Sequence, residues 1–146
     1  MIAHTIQLAL APVFMLVAIG NIMNILSTRL GRIVDRARKL QAMHGETTGG
    51  LHDLVVLEMR QVDARILLNT KAIRVLVMAG LSIGTTVAVL FVEEMFNVPL
   101  ERAAAGIFLV AVSLLMWGLW LFLRETQVAA QSLRIPEEYL ESHRDL

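Results

Sequence analysis

The chain has 146 residues, the size of one domain, with 56% hydrophobic residues, 18% charged and a formal net charge of zero. A soluble domain carries about 25% charged residues, and a mean hydropathy of +0.64 leaves too little polar surface to cover an ordinary soluble core. Cysteine is absent, which excludes disulfides, thiolate metal sites and cysteine nucleophiles, and 5% aromatics offer few platforms for stacking bases or sugars.

The first element is an apolar run over 6–26. About 20 apolar residues cross a hydrocarbon core, so the run predicts a transmembrane helix. A cleaved signal peptide is not expected, because residues 1–5 contain no Lys or Arg and the basic cluster follows the apolar run instead of preceding it. Gln7, Asn21 and Asn24 lie within the run and Thr28 just beyond it. At 100° per residue, Gln7, Asn21 and Thr28 lie within about 60° of one another, with Asn24 about 60° from Asn21. Such a stripe supplies hydrogen bonds between helices, or faces water along a pore. Pro12 removes one backbone hydrogen bond, which neighbours must compensate.

The run passes without a breaker into Arg29, Arg32, Arg36, Arg38 and Lys39, opposed only by Asp35. Leu26, Leu30, Ile33, Ala37 and Leu40 alternate spacings of four and three. After HGETTGG at 44–50, Val55, Met59, Val62, Ile66, Asn69 and Ile73 do the same, with Asn69 the one polar member. That is a heptad seam on each helix, and the glycines between suit a reversal. Residues 27–72 therefore predict an antiparallel helical hairpin extending the first two membrane helices. Asp35 is placed to pair with Arg38 or Lys39 and Arg60 with Asp63, while Glu58 lacks a partner on its own face and is expected to reach across the hairpin. The basic arm reads as a topology signal on a solvated face, with anionic lipid headgroups as a second role; nucleic acid is not an expected partner.

A second apolar run covers 73–92, with Gly80 and Gly84 in a small-xxx-small pattern suited to close helix packing. A third covers 103–123, with Trp117 and Trp120 near one end as interfacial anchors. None of the three runs contains an acidic residue. The connection at 27–74 holds nine of the thirteen Lys and Arg against five acidic residues, a net of +4, whereas 93–102 carries three Glu against Arg102, a net of −2. Positive-inside counting places the hairpin and the tail at 124–146 in the cytoplasm, with the N-terminus outside. The tail is read as a short helix continuing the third run, broken by Pro136, then an acidic end.

No nucleophile–base set, phosphate loop or metal-ligand spacing is visible. His4, His44, His52 and His143 are scattered, although His44 and His52 flank the hairpin turn and can meet. The expectation is therefore no enzyme, no cofactor and no metal.

The stretch LALAPVFMLVAIGNIMNILSTRLGRIVDRARKL, with ARILLNTKAIRVL and AGIFLVAVSLLMWGLWLFLRETQVA further on, closely resembles an uncharacterised family of small bacterial membrane proteins, domain-of-unknown-function family twenty-seven twenty-one. APVF, RLGRIVDRAR and FLRE carry the likeness, which covers nearly the whole chain. It implies three helices and a bacterial source, and supplies no activity, ligand or catalytic residue.

The sequence thus predicts an all-α membrane protein: one integral membrane domain over 1–146, with three transmembrane helices at about 6–26, 73–92 and 103–123. Its expected setting is a bacterial inner membrane, as a homo-oligomer of unknown specific role. Two alternatives stay open: an ion channel lined by the first helix, and a scaffold subunit of a larger membrane complex.

Overall fold

The computed structural model describes residues 2–132, and among them every regular element is helical. Helix α1 runs Ile2–Glu46, α2 Gly50–Phe96 and α3 Glu101–Ser132. All three are long and apolar enough to cross a membrane. The first two, of 45 and 47 residues, reach roughly 70 Å at 1.5 Å per residue, more than twice a hydrocarbon core. The apolar run and the basic arm of α1 thus form one unbroken helix, with Pro12 inside it.

The breaks have local causes. Gly49 takes φ +70° and ψ −144°, a conformation that side chains disfavour. Its carbonyl accepts from the backbone N–H of His52 at 3.0 Å and of Asp53 at 3.3 Å. Asn97 ends α2 in the left-handed conformation, φ 54° and ψ 38°, which asparagine tolerates better than most residues. The α3 helix then starts with Glu101 in its first turn, favourable beside the N-terminal helix dipole.

Helix α2 lies between the other two, and α1 and α3 touch one another little. One apolar cluster unites the helices around Ile19, Leu26, Leu76, Ile83, Ala111 and Leu121. A second, formed by Ile33 and Leu40 of α1 with Val55 and Val62 of α2, holds the basic arm against the start of α2. These are the positions that the heptad spacing selects. Asn69 is also buried on this seam, at 0% exposure.

On α3 the buried positions Ala104, Ala111, Gly118 and Glu125 recur every seventh residue. Small residues there let α3 approach α2 closely: a Cβ built on Gly118 would stand 2.8 Å from Leu76 Cδ2. Gly80 and Gly84 play a lesser part within the chain. A Cβ on Gly80 meets only Leu16 at an ordinary 3.7 Å, and one on Gly84 meets nothing within 4 Å. The tight glycine is on α3, because its side faces a fully buried leucine while Gly84 faces outward.

A buried arginine–glutamate–arginine site

Each of the three helices contributes one charged side chain to a single cluster. Glu125 of α3 has 0% exposure. Its Oε2 accepts from Arg29 Nε at 3.1 Å and Nη2 at 2.6 Å, and its Oε1 accepts from Arg65 Nε at 3.0 Å. The guanidinium of Arg29 also lies 5.4 Å from the ring centroid of Phe122, within cation–π range. A carboxylate removed from water needs this compensation: unpaired, it would cost several kcal/mol. The seven-residue line on α3 brings Glu125 to the packed face, where a fourth small residue would otherwise stand.

The helix that continues the third run into the tail extends to Ser132, and it carries Glu125 buried against α1 and α2, a burial that the apolar run itself does not mark. Pro136 and the acidic end lie outside the described residues. The basic cluster is divided. Arg29 belongs to the buried site, and Arg36 is held by Glu58 across the two helices, Nε to Oε1 at 2.6 Å and Nη2 to Oε2 at 2.8 Å. The hydrogen bond from Arg36 to Glu58 raises the guanidinium pKa above its already high value. Arg38 and Lys39 are exposed. Among the described residues, Asp35 forms no ion pair with Arg38 or Lys39, and Arg60 forms none with Asp63; the cross-helix pairs of Arg29, Arg36 and Arg65 are the ones made.

Beside the buried site is a groove of about 410 Å³, lined by Arg29, Arg32, Ile33, Arg36, Val62, Arg65, Thr126, Ala129 and Ala130. One helical turn from Arg65 toward the apolar part of α2 is Asn69, whose Oδ1 and Nδ2 have no hydrogen-bond partner among the described residues. At the opposite end of the helices, a hollow of about 530 Å³ is lined by His4, Thr5, Thr86, Glu93, Glu94 and Glu101 together with apolar side chains. Thr5 donates to Glu94 at 3.1 Å. No group of metal-ligating side chains occurs among the described residues.

The polar stripe of α1 faces away from the packed core. Gln7, Asn21, Asn24 and Thr28 are all exposed, while Thr5, Ala9, Ile19, Leu26 and Ile33 are buried. Thr28 donates to the backbone carbonyl of Asn24 at 3.0 Å. Trp117 and Trp120 are about half exposed; Lys71 Nζ lies 5.7 Å from the Trp117 ring and Arg124 Cζ 4.7 Å from that of Trp120. The rings of His44 and His52 do meet, with centroids 4.4 Å apart.

Arg65 and Glu125 were not singled out from the sequence, although a signal exists for both. Arg65 precedes the buried Ala72, Ala79 and Thr86 by successive sevens on α2, as Glu125 follows Ala104, Ala111 and Gly118 on α3. Two charged residues ending two lines of small ones are marked for a shared interface.

By length and composition the helices mark a multi-pass membrane protein, bound at one end by a three-helix ionic cluster. The chain belongs to the family described as Protein of unknown function (DUF2721), whose family model matches residues 9–135. No curated protein and no solved structure matches the chain.

Proposed function

We propose that this chain is a non-enzymatic, self-associating protein of a bacterial inner membrane, with the N-terminus outside and the antiparallel hairpin and tail in the cytoplasm. The observation that carries the reading is the outward direction of Gln7, Asn21 and Asn24 on α1. Their amides find no side-chain partner among the described residues, and in hydrocarbon such groups are costly unless another helix satisfies them. A second copy of α1 brings the same stripe. Exposed Leu51, Leu54 and Leu57 near the hairpin tip support a further contact between hairpins, or docking to a larger membrane complex. The succession of contacts Thr5–Glu94, Leu16–Gly80 and Arg36–Glu58 supports the antiparallel hairpin, and the excess of basic residues near Arg29 supports its cytoplasmic side.

The chain contains no cysteine, so single cysteines introduced along α1 report contacts between copies without background. Oxidation of native membranes should cross-link Ser27→Cys or Gly20→Cys, beside the stripe, and leave a cysteine on the α2-facing side at Ile22 unlinked. A monomer mass at every protein concentration, with no cross-link at either site, would end this reading.

A channel is the second reading. Gln7, Asn21 and Thr28 repeat at multiples of seven and so line one edge of α1 along its apolar length. In a closed ring that edge would face the axis, with Arg32 at its cytoplasmic mouth favouring anions. Conductance in planar bilayers, altered by Asn21→Leu, is the expected result; silence with all ions tested would remove it.

A further inference from the structure

We infer that the arginine groove between α1, α2 and α3 is a binding site for the phosphodiester headgroup of an anionic lipid in the cytoplasmic leaflet. The inference rests on the orientation proposed above and not on self-association.

Four arginines, Arg29, Arg32, Arg36 and Arg65, line the groove. They are met by two carboxylates: Glu125 holds Arg29 and Arg65, and Glu58 holds Arg36. Two positive charges remain in excess. Arg65 spends only its Nε on Glu125, and Arg32 makes no ion pair among the described residues, so guanidinium donors stay available for a second acceptor. Glu125 is fully buried and fixes two of the guanidiniums in place, so their donors are oriented before any ligand arrives. That pre-organisation distinguishes the groove from a mobile basic surface. Planar guanidiniums suit bidentate contact with phosphate oxygens.

Depth points to the same ligand. Thr126 and Ala130 of the groove wall lie three and seven residues beyond the third apolar run, roughly 5–10 Å along the helix. The headgroup layer outside a hydrocarbon core is about 5–7.5 Å thick on each side, so Thr126 lies within it and Ala130 at its outer edge. The half-exposed Trp117 and Trp120 lie on the apolar side of this level, as interfacial aromatics do. Basic pockets between membrane helices on this side bind polyanionic headgroups, and about 410 Å³ falls within the usual size of ligand sites. An excess of two charges best matches a lipid bearing two phosphodiesters.

The full chain is placed in nanodiscs of phosphatidylcholine alone, or containing in addition a one-phosphate or a two-phosphate anionic lipid. Retained lipid is then counted by native mass spectrometry on whatever oligomer mass appears. Both leaflets carry the lipid, so the result does not depend on orientation or stoichiometry; cysteine accessibility in intact cells tests orientation separately. The two-phosphate lipid is expected to be retained most strongly, with Arg32→Gln weakening retention about fivefold, the effect of one arginine on an anionic headgroup. Arg32→Lys should recover part of it, and Arg38→Gln, outside the groove, should change it little. Equal losses in Arg32→Gln and Arg38→Gln would reduce the effect to general surface charge and overturn the site. Displacement of the lipid by millimolar inorganic phosphate would overturn the lipid assignment and make free phosphate the occupant.

Discussion

Arg65 Nε stands 3.0 Å from Glu125 Oε1, joining positions sixty residues apart on α2 and α3. On its other oxygen, Glu125 takes two donors from Arg29 of α1, so one carboxylate ties all three helices together. The consequence for stability is asymmetric, because a buried carboxylate without its arginines, or arginines without the carboxylate, strands charge away from water.

Removing one partner is therefore expected to be severe. Glu125→Ala should destabilise the chain by about 3–5 kcal/mol, the usual cost of breaking a buried ion pair. Replacing all three residues by apolar ones of similar size should be nearly neutral. Thermal unfolding followed by circular dichroism in detergent compares the two; a triple variant as unstable as Glu125→Ala would contradict this account.

The Arg36–Glu58 pair provides the contrast. Its side chains are 49% and 38% exposed, and exposed pairs contribute about 0–1 kcal/mol. Glu58→Gln should lower the unfolding temperature slightly at low salt and hardly at all at high salt, where screening has already weakened the pair.

Gly118 and Gly84 should respond oppositely to alanine. At Gly118 the new methyl group meets Leu76 Cδ2 at 2.8 Å and Cγ at 2.9 Å; Leu76 is fully buried, so overpacking should cost about 1–3 kcal/mol. At Gly84 nothing lies within 4 Å, and the better helix propensity should stabilise by up to about 1 kcal/mol. If Gly84→Ala instead lowers the oligomer mass in a nanodisc, the open face of Gly84 is a contact between copies.

Asn69→Leu should raise stability by about 1–3 kcal/mol, the usual cost of leaving a buried polar group unpaired. The amide has both polar atoms buried without a partner among the described residues, and a leucine in its place extends the surrounding apolar cluster. A fall in stability would show that the amide is hydrogen-bonded in the membrane, and would add Asn69 to the site beside Arg65.

The sequence by itself determined the three long helices and their likeness to a membrane protein, because hydrocarbon demands about 20 successive apolar residues per crossing and such runs need no knowledge of neighbours. It also determined which positions of the basic arm meet α2. Ile33, Leu40, Val55 and Val62 are buried because a heptad seam keeps one face of each helix turned to the other. The reach of Glu58 to Arg36 was legible for a related reason, as Glu58 had no partner on its own helix.

Only the tertiary structure decided what becomes of Glu125, Arg65 and the polar stripe. A charge two residues past an apolar run is locally identical to a solvated one; its burial depends on whether two other helices bring cations to the same level. The direction of Gln7, Asn21 and Asn24 likewise follows from which face of α1 packs on α2; the apolar run is hydrophobic on most sides, and only the continuation of the Leu26, Ile33 and Leu40 seam back to Ile19 marks its packed side. The basic cluster similarly holds both roles in one run: Arg29 enters the packed site and Arg38 stays exposed, because nine residues at about 100° each put them on opposite faces of one unbroken helix, and the packing of α2 and α3 decides which face is covered.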